Sequence, residues 1–177
     1  MKKARWERWR VVVTAKLFAV AMGVLEAVTV VYIRKMAGLE GAMDALDPKV
    51  REALLVRFAR MRMAGEAGHL SPEFLLVERI REAATIVMLL AVAMLAGRTW
   101  KERTGFFLFC FGVWDIVYYG VLWLLVRWPP SPETLDVLFL IPFPWVAQVW
   151  IPIAISACFV AWGTWAIWFD RASRKSR

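Results

Sequence analysis

The stretch FFLFCFGVWDIVYYGVLWLLVRW, residues 106–128, decides the fold. Apart from Asp115 and the closing Arg127 it carries no charge. A helix through it, at about 1.5 Å per residue, is about 34 Å long, enough to cross a bilayer core about 30 Å thick. The carboxylate of Asp115 stands near its middle. A charged group at the centre of a spanning helix costs about 2.5–3.5 kcal/mol on insertion scales. The span therefore raises a question of its own: what does Asp115 face?

The rest of the chain repeats the pattern. Of its 177 residues, 60% are hydrophobic, and the mean hydropathy is +0.54. A soluble domain would be about 45–50% apolar. The excess falls in blocks, which predict spans at about 11–33, 78–97, 105–127 and 145–168. Ala19-Val20-Ala21 resembles a signal-peptide cleavage site, but Lys16 interrupts the apolar core such a peptide needs, and the run continues well beyond it. The second span is free of charge only over 83–96, so Glu78, Arg79, Arg81 and Glu82 must enter the bundle or the headgroup layer. Residues 34–77 form a long connection. Within it DPKVREALLVRFARMRM predicts an amphipathic surface helix over 48–63, with Asp47 as cap and Pro48 in the first position. The short apolar segment 132–141, stopped by Pro142 and Pro144, reads as re-entrant or interfacial. The expected fold is one all-α integral membrane domain over 1–177: a four-transmembrane-helix bundle with these two additions.

Charge sets the expected orientation. Lys2, Lys3, Arg5, Arg8 and Arg10 precede the first span, Arg98, Lys101 and Arg103 follow the second, and Arg171, Arg174, Lys175 and Arg177 follow the fourth. The third connection has only Arg127, and in the long first connection acids offset the bases. The positive-inside rule then puts both termini in the cytoplasm, with 34–77 outside. The expected location is the cytoplasmic membrane of a prokaryote. The net charge of +8 fits anionic lipid headgroups. No nucleic-acid signature accompanies it, so the bilayer is the expected partner, with a homo-oligomer or partner subunit left open. Cys110 and Cys158 lie inside apolar blocks, with no CxxC pair, and read as buried, inert thiols.

This orientation gathers the intramembrane acids in the outer half. Glu26, Glu82, Asp115 and Asp136 fall at similar depth, while the inner half offers only Lys16. Asp115, Tyr118 and Tyr119 share one helical face, as do Glu78, Glu82 and Thr85, and as would Trp145, Gln148, Pro152 and Ser156 on the fourth span. Such stripes should converge inside the bundle. Three things stabilise buried carboxylates: an arginine, a proton or a cation. Ion pairing is expected for Glu78, Arg79, Arg81 and Arg34. A divalent metal held by His69, Glu26, Glu82, Asp115 and Asp136 is a second reading, although the spacing matches no known ligand signature. A single histidine disfavours bis-histidine haem, and no phosphate loop or nucleotide signature is present. The binding or proton-carrying candidates are Glu26, Glu82, Asp115, Tyr118, Tyr119, Asp136 and Gln148. The leading function is a site in the outer half of the bundle that binds or transports a small molecule, lipid or cation. The alternatives are a membrane-embedded, metal-assisted enzyme acting on a lipid or quinone-like substrate, and an accessory subunit whose ion pairs only hold helices together.

Overall fold

The computed structural model describes residues 2–36, 72–141 and 145–169. The expected surface helix 48–63, His69 and most of the connection 34–77 lie outside them, and so does the side chain of Arg34. The described chain forms helix α1 (Lys2–Met36), helix α2 (Pro72–Ala96), helix α3 (Trp100–Val126), strands β1 (Leu135–Phe139) and β2 (Trp145–Gln148), and helix α4 (Trp150–Phe169).

Three helices are long and apolar enough to cross a membrane: α1 over Trp6–Tyr32, α3 over Trp100–Val126 and α4 over Trp150–Trp168. Only about a third of each such stretch is buried within the protein. The outward faces carry large apolar side chains, among them Leu17, Leu25, Val87, Leu95 and Leu124. A monomeric soluble protein rarely exposes so much contiguous apolar surface. Exposed aromatic residues gather toward the two ends, with Trp6, Trp9, Trp100 and Trp165 at one and Tyr32, Trp123, Trp145 and Trp150 toward the other. Helix α2 is not among the three, because Glu78, Arg79, Arg81 and Glu82 occupy its first half.

Cross-contacts give the packing directions. Arg8 meets Glu102, the Cys110 thiol faces the carbonyl of Ala15 at 3.6 Å, and Gly23 lies against Trp114 and Val117; α1 and α3 therefore run parallel. Gly105 sits against Ala166 and Gly112 against Ser156, so α4 runs antiparallel to α3. Arg81 reaches Glu26, and the Arg98 amide donates to Glu102 at 2.9 Å, so α2 returns along the length of α1. The result is an up-down-up-down bundle.

Glycines set how closely α3 and α4 approach. A Cβ built on Gly112 would stand 2.4 Å from the Ser156 carbonyl oxygen, and one on Gly163 would stand 2.6 Å from that of Gly105. Small residues let helix backbones meet where hydrophobic attraction between helices is absent. Below the hairpin end the core is filled by Ala15, Ala19, Met22, Leu89, Phe109 and Cys110. Cys110 is buried as expected, whereas Cys158 is exposed on the outer face of α4; both are free.

The ends of α3 explain its length. Thr99 caps it, its side chain accepting from the Glu102 amide at 3.1 Å. Arg127 closes it in the left-handed region at φ 55, its amide donating to Trp123. Pro129 and Pro130 then cannot continue the helix.

Within the segment expected to be re-entrant or interfacial, 132–141, Leu135–Phe139 forms one strand of an antiparallel hairpin. Leu135 pairs with Gln148, Asp136 with Ala147, Val137 with Val146 and Phe139 with Trp145, with an irregularity between Val137 and Phe139. The fold is therefore not purely helical, and the fourth helix begins at Trp150 rather than at 145. Leu135, Val137, Phe139, Trp145 and Val146 suit a pleated surface. The hairpin then feeds α4: the Val149 amide donates to the Thr134 carbonyl and the Trp150 amide to that of Pro132, both at 3.0 Å. In the exposed turn before β1, the Ser131 hydroxyl donates to Glu133 and holds its carboxyl below the ordinary glutamate range.

Candidate functional site

The four helices and the hairpin enclose a cavity of about 570 Å3 at the hairpin end. Each element contributes through one face. From α1 come Glu26 and Val30; from α2, Glu78, Arg81, Glu82 and Thr85, one helical stripe. Helix α3 presents Phe111, Trp114, Asp115, Tyr118 and Tyr119, and α4 presents Pro152, Ile155, Ser156 and Phe159. The hairpin closes one side with Asp136 to Leu140 and Trp145. Among the lining residues Ile155 and Trp145 are exposed, which marks the mouth between α4 and the hairpin.

The walls are aromatic. Phe111 stacks on Phe139 with ring centroids 5.9 Å apart. Trp114 meets Phe111 edge-on at 5.2 Å, and Phe159 meets Phe111 at 5.8 Å. Tyr118 and Tyr119 form a T-shaped pair at 4.9 Å. The indole N–H of Trp114 is buried without a hydrogen-bond partner.

The carboxylates share the cavity, but they are held by different partners. Arg81 is the hub of one group: its Nε donates to both Glu78 oxygens, at 3.1 and 3.0 Å, and its Nη1 donates to Glu26. Glu82 accepts the Leu140 amide at 2.9 and 3.0 Å, tying the hairpin to α2. Asp136 accepts the Tyr119 hydroxyl at 3.0 Å and the Val137 amide at 2.9 Å. Asp115 accepts the Ser156 hydroxyl at 2.8 Å. The aspartate of the opening stretch thus faces the cavity and a buried serine on α4, not the outer surface.

The residues singled out from the sequence divide accordingly. Glu26, Glu82, Asp115, Tyr118, Tyr119 and Asp136 all line the cavity. Gln148 does not: it lies on β2 and accepts the Trp150 indole N–H at 2.8 Å. The face expected to carry it assumed a helix from 145, and a strand there turns the side chain elsewhere. Among the expected ion-pair residues, Glu78 and Arg81 are joined, Arg79 is exposed and outside the cavity lining, and the partner of Arg81 also includes Glu26. Of the expected metal set, His69 lies outside the described residues. Among the described residues no group of three His, Cys, Asp or Glu stands close enough to hold an ion. The carboxylates are instead held by different groups around the wall: Glu26 and Glu78 by Arg81, Glu82 by the Leu140 amide, Asp136 by Tyr119 and Asp115 by Ser156.

Two features escaped the sequence reading. The first is the aromatic wall, although Phe111, Trp114, Asp115 and Tyr118 recur at helical spacing and were legible as one face. The second lies at the opposite end. Glu102, expected in the connection between the second and third spans, is buried there and bonded to Arg8 at 2.7 Å. Arg8 also donates to the Ile167 carbonyl. Thr99-Trp100-Lys101-Glu102 has the spacing of a capping box, which marks Glu102 as engaged; nothing local marks Arg8 as its partner.

Compared with known proteins, the chain matches no family model, and no curated protein or solved structure is significantly similar to it.

Proposed function

We propose that this chain is a four-span membrane protein whose cavity at the hairpin end binds a small amphipathic molecule carrying a positive charge. The observation that carries the reading is the composition of the cavity wall: five carboxyl groups, Glu26, Glu78, Glu82, Asp115 and Asp136, against one guanidinium, Arg81, within aromatic walls. A volume of about 570 Å3 lies within the about 300–1,000 Å3 range of small-molecule sites. Aromatic faces attract organic cations, by about 0.5–2 kcal/mol each according to desolvation, and carboxylates supply the longer-range attraction. The packed core beneath the cavity favours binding over a continuous pore.

Four spans rather than three are supported by the path of α2, which runs antiparallel beside α1 and α3 from the level of Glu26 to that of Glu102. The basic cluster Arg8, Arg10, Arg98, Lys101 and Arg103 lies at the end opposite the hairpin, which favours placing that end in the cytoplasm and the cavity in the outer half.

The test is calorimetric titration of the detergent-solubilised chain with benzyltrimethylammonium and with its uncharged isostere neopentylbenzene. The cation should bind and the isostere should bind at least about tenfold more weakly, with Asp115→Asn and Glu82→Gln each reducing cation affinity by about tenfold. Equal binding of the two probes, or none of either, defeats the reading. The accessory-subunit alternative draws on one specific observation, the clamping of Glu26 and Glu78 by Arg81, and absence of binding combined with a co-purifying membrane partner favours it.

A further inference from the structure

On the side of the bundle away from the hairpin, α1 and α2 leave a groove of about 670 Å3 between them. Its walls are apolar but for Thr14: Val11 and Phe18 on α1, and Val92, Leu95 and Ala96 on α2. Leu95 is 89% exposed, so the groove is open outward. At one end stand Arg10 and Arg98, both exposed, with Glu7 beside them. The neighbouring Arg8 does not share this role, because its guanidinium is turned inward to Glu102. From Glu7 to Phe18 the groove follows twelve residues of α1, about 16 Å of helix from first to last, close to half of a bilayer core about 30 Å thick.

We propose that this groove seats one acyl chain of an anionic phospholipid, with its phosphate held between Arg10 and Arg98. The inference rests on the membrane-span reading of these helices and is independent of what the hairpin-end cavity binds. Three properties select this occupant. The groove has the length of one leaflet. Its wall offers an acyl chain dispersion contacts and almost no polar group. Its single charged end has two guanidinium groups against one carboxylate, at the end where the exposed tryptophans mark a membrane boundary. Basic pockets between spanning helices select anionic headgroups through the same electrostatics. A basic peptide such as residues 171–177 would meet repulsion from the arginine pair, and a second copy of this chain would bring further arginines to it.

Native mass spectrometry of the detergent-solubilised full chain, with equimolar dioleoylphosphatidylglycerol and dioleoylphosphatidylcholine, reads the headgroup alone because the chains are the same. With one net positive charge at the site, the wild type should favour phosphatidylglycerol by about fivefold. Arg10→Gln with Arg98→Gln leaves only Glu7 charged there and should bring the ratio to one or below. Lys16→Gln with Lys101→Gln removes the same charge outside the groove and should leave the ratio unchanged. Thr14→Trp, which fills the groove from an exposed position, should lower uptake of both lipids severalfold. A wild-type ratio near one, or equal loss in both charge variants, overturns the site. A several-fold rise in uptake on removal of residues 170–177 also overturns it, by making the tail the occupant. Retention of the chain in carbonate-washed membranes separates failure of the groove from failure of the membrane reading, since a chain that washes off defeats the latter.

Discussion

Arg81 and Asp115 show how differently two charged residues at the same end of the bundle are used. Arg81 holds two carboxylates, Glu26 on α1 and Glu78 on its own helix, and all three side chains are largely shielded. Removing its charge leaves two acids without a cation, and breaking a buried pair from one side costs about 3–5 kcal/mol. We expect Arg81→Gln to lower stability by about 3 kcal/mol, read as a clear fall in Tm in detergent. Asp115 bonds to the Ser156 hydroxyl rather than to a cation. An asparagine keeps an acceptor for that hydroxyl, so Asp115→Asn should change stability by less than about 1 kcal/mol. A Tm loss for Asp115→Asn as large as that for Arg81→Gln would mean that Asp115 is half of a structural pair, and would remove it from the proposed cation site. At this scale the sequence exposed Asp115 as anomalous through its apolar surroundings, but not Arg8, whose partner is 94 residues away.

At the scale of elements, the α3–α4 pair depends on backbone contact. The Ser156 carbonyl lies 2.4 Å from where a Gly112 Cβ would stand, whereas nothing lies within 4 Å of one at Gly120. The backbone atom at Gly112 cannot swing aside as a flexible side chain would. We expect Gly112→Ala to cost about 1–3 kcal/mol or more through forced separation of the helices. Gly120→Ala on the same helix should be neutral or stabilising by up to about 1 kcal/mol, since alanine is the better helix former. Thermal unfolding of both variants in one detergent checks the contrast, and equal effects would show that α3 and α4 do not meet as closely as described. The helices themselves were readable from apolar runs. The hairpin was not: Pro142 and Pro144 announce a break, but an apolar segment of this length fits a short helix as well as a strand until a pairing partner is present.

For the whole molecule, four crossings demand that both ends of α2 lie on opposite sides of the bilayer. In a background lacking Cys110 and Cys158, cysteines introduced at Ala45 and Pro130 should react with an impermeant maleimide in intact bacterial cells. Cysteines at Trp100 and Lys175 should react only after permeabilisation. The reverse pattern inverts the orientation, and reaction of positions 45 and 100 from the same side leaves α2 outside the set of spans.

The sequence by itself determined the apolar blocks and the long helices that could cross a membrane, because hydropathy and helical periodicity are properties of neighbouring residues. It also identified the stripes from which Glu82, Asp115, Tyr118 and Tyr119 reach one cavity. Only the tertiary structure decided what each acid meets: Arg81 for Glu26, the Leu140 amide for Glu82, Ser156 for Asp115 and Tyr119 for Asp136. It also decided that Leu135–Phe139 pairs with Trp145–Gln148 as strands, which removes Gln148 from the cavity wall and adds Phe139 to it. These outcomes depend on contacts between residues far apart in the chain. A carboxylate's local sequence records that burial must be compensated, but the compensating group is chosen by which helix packs beside it.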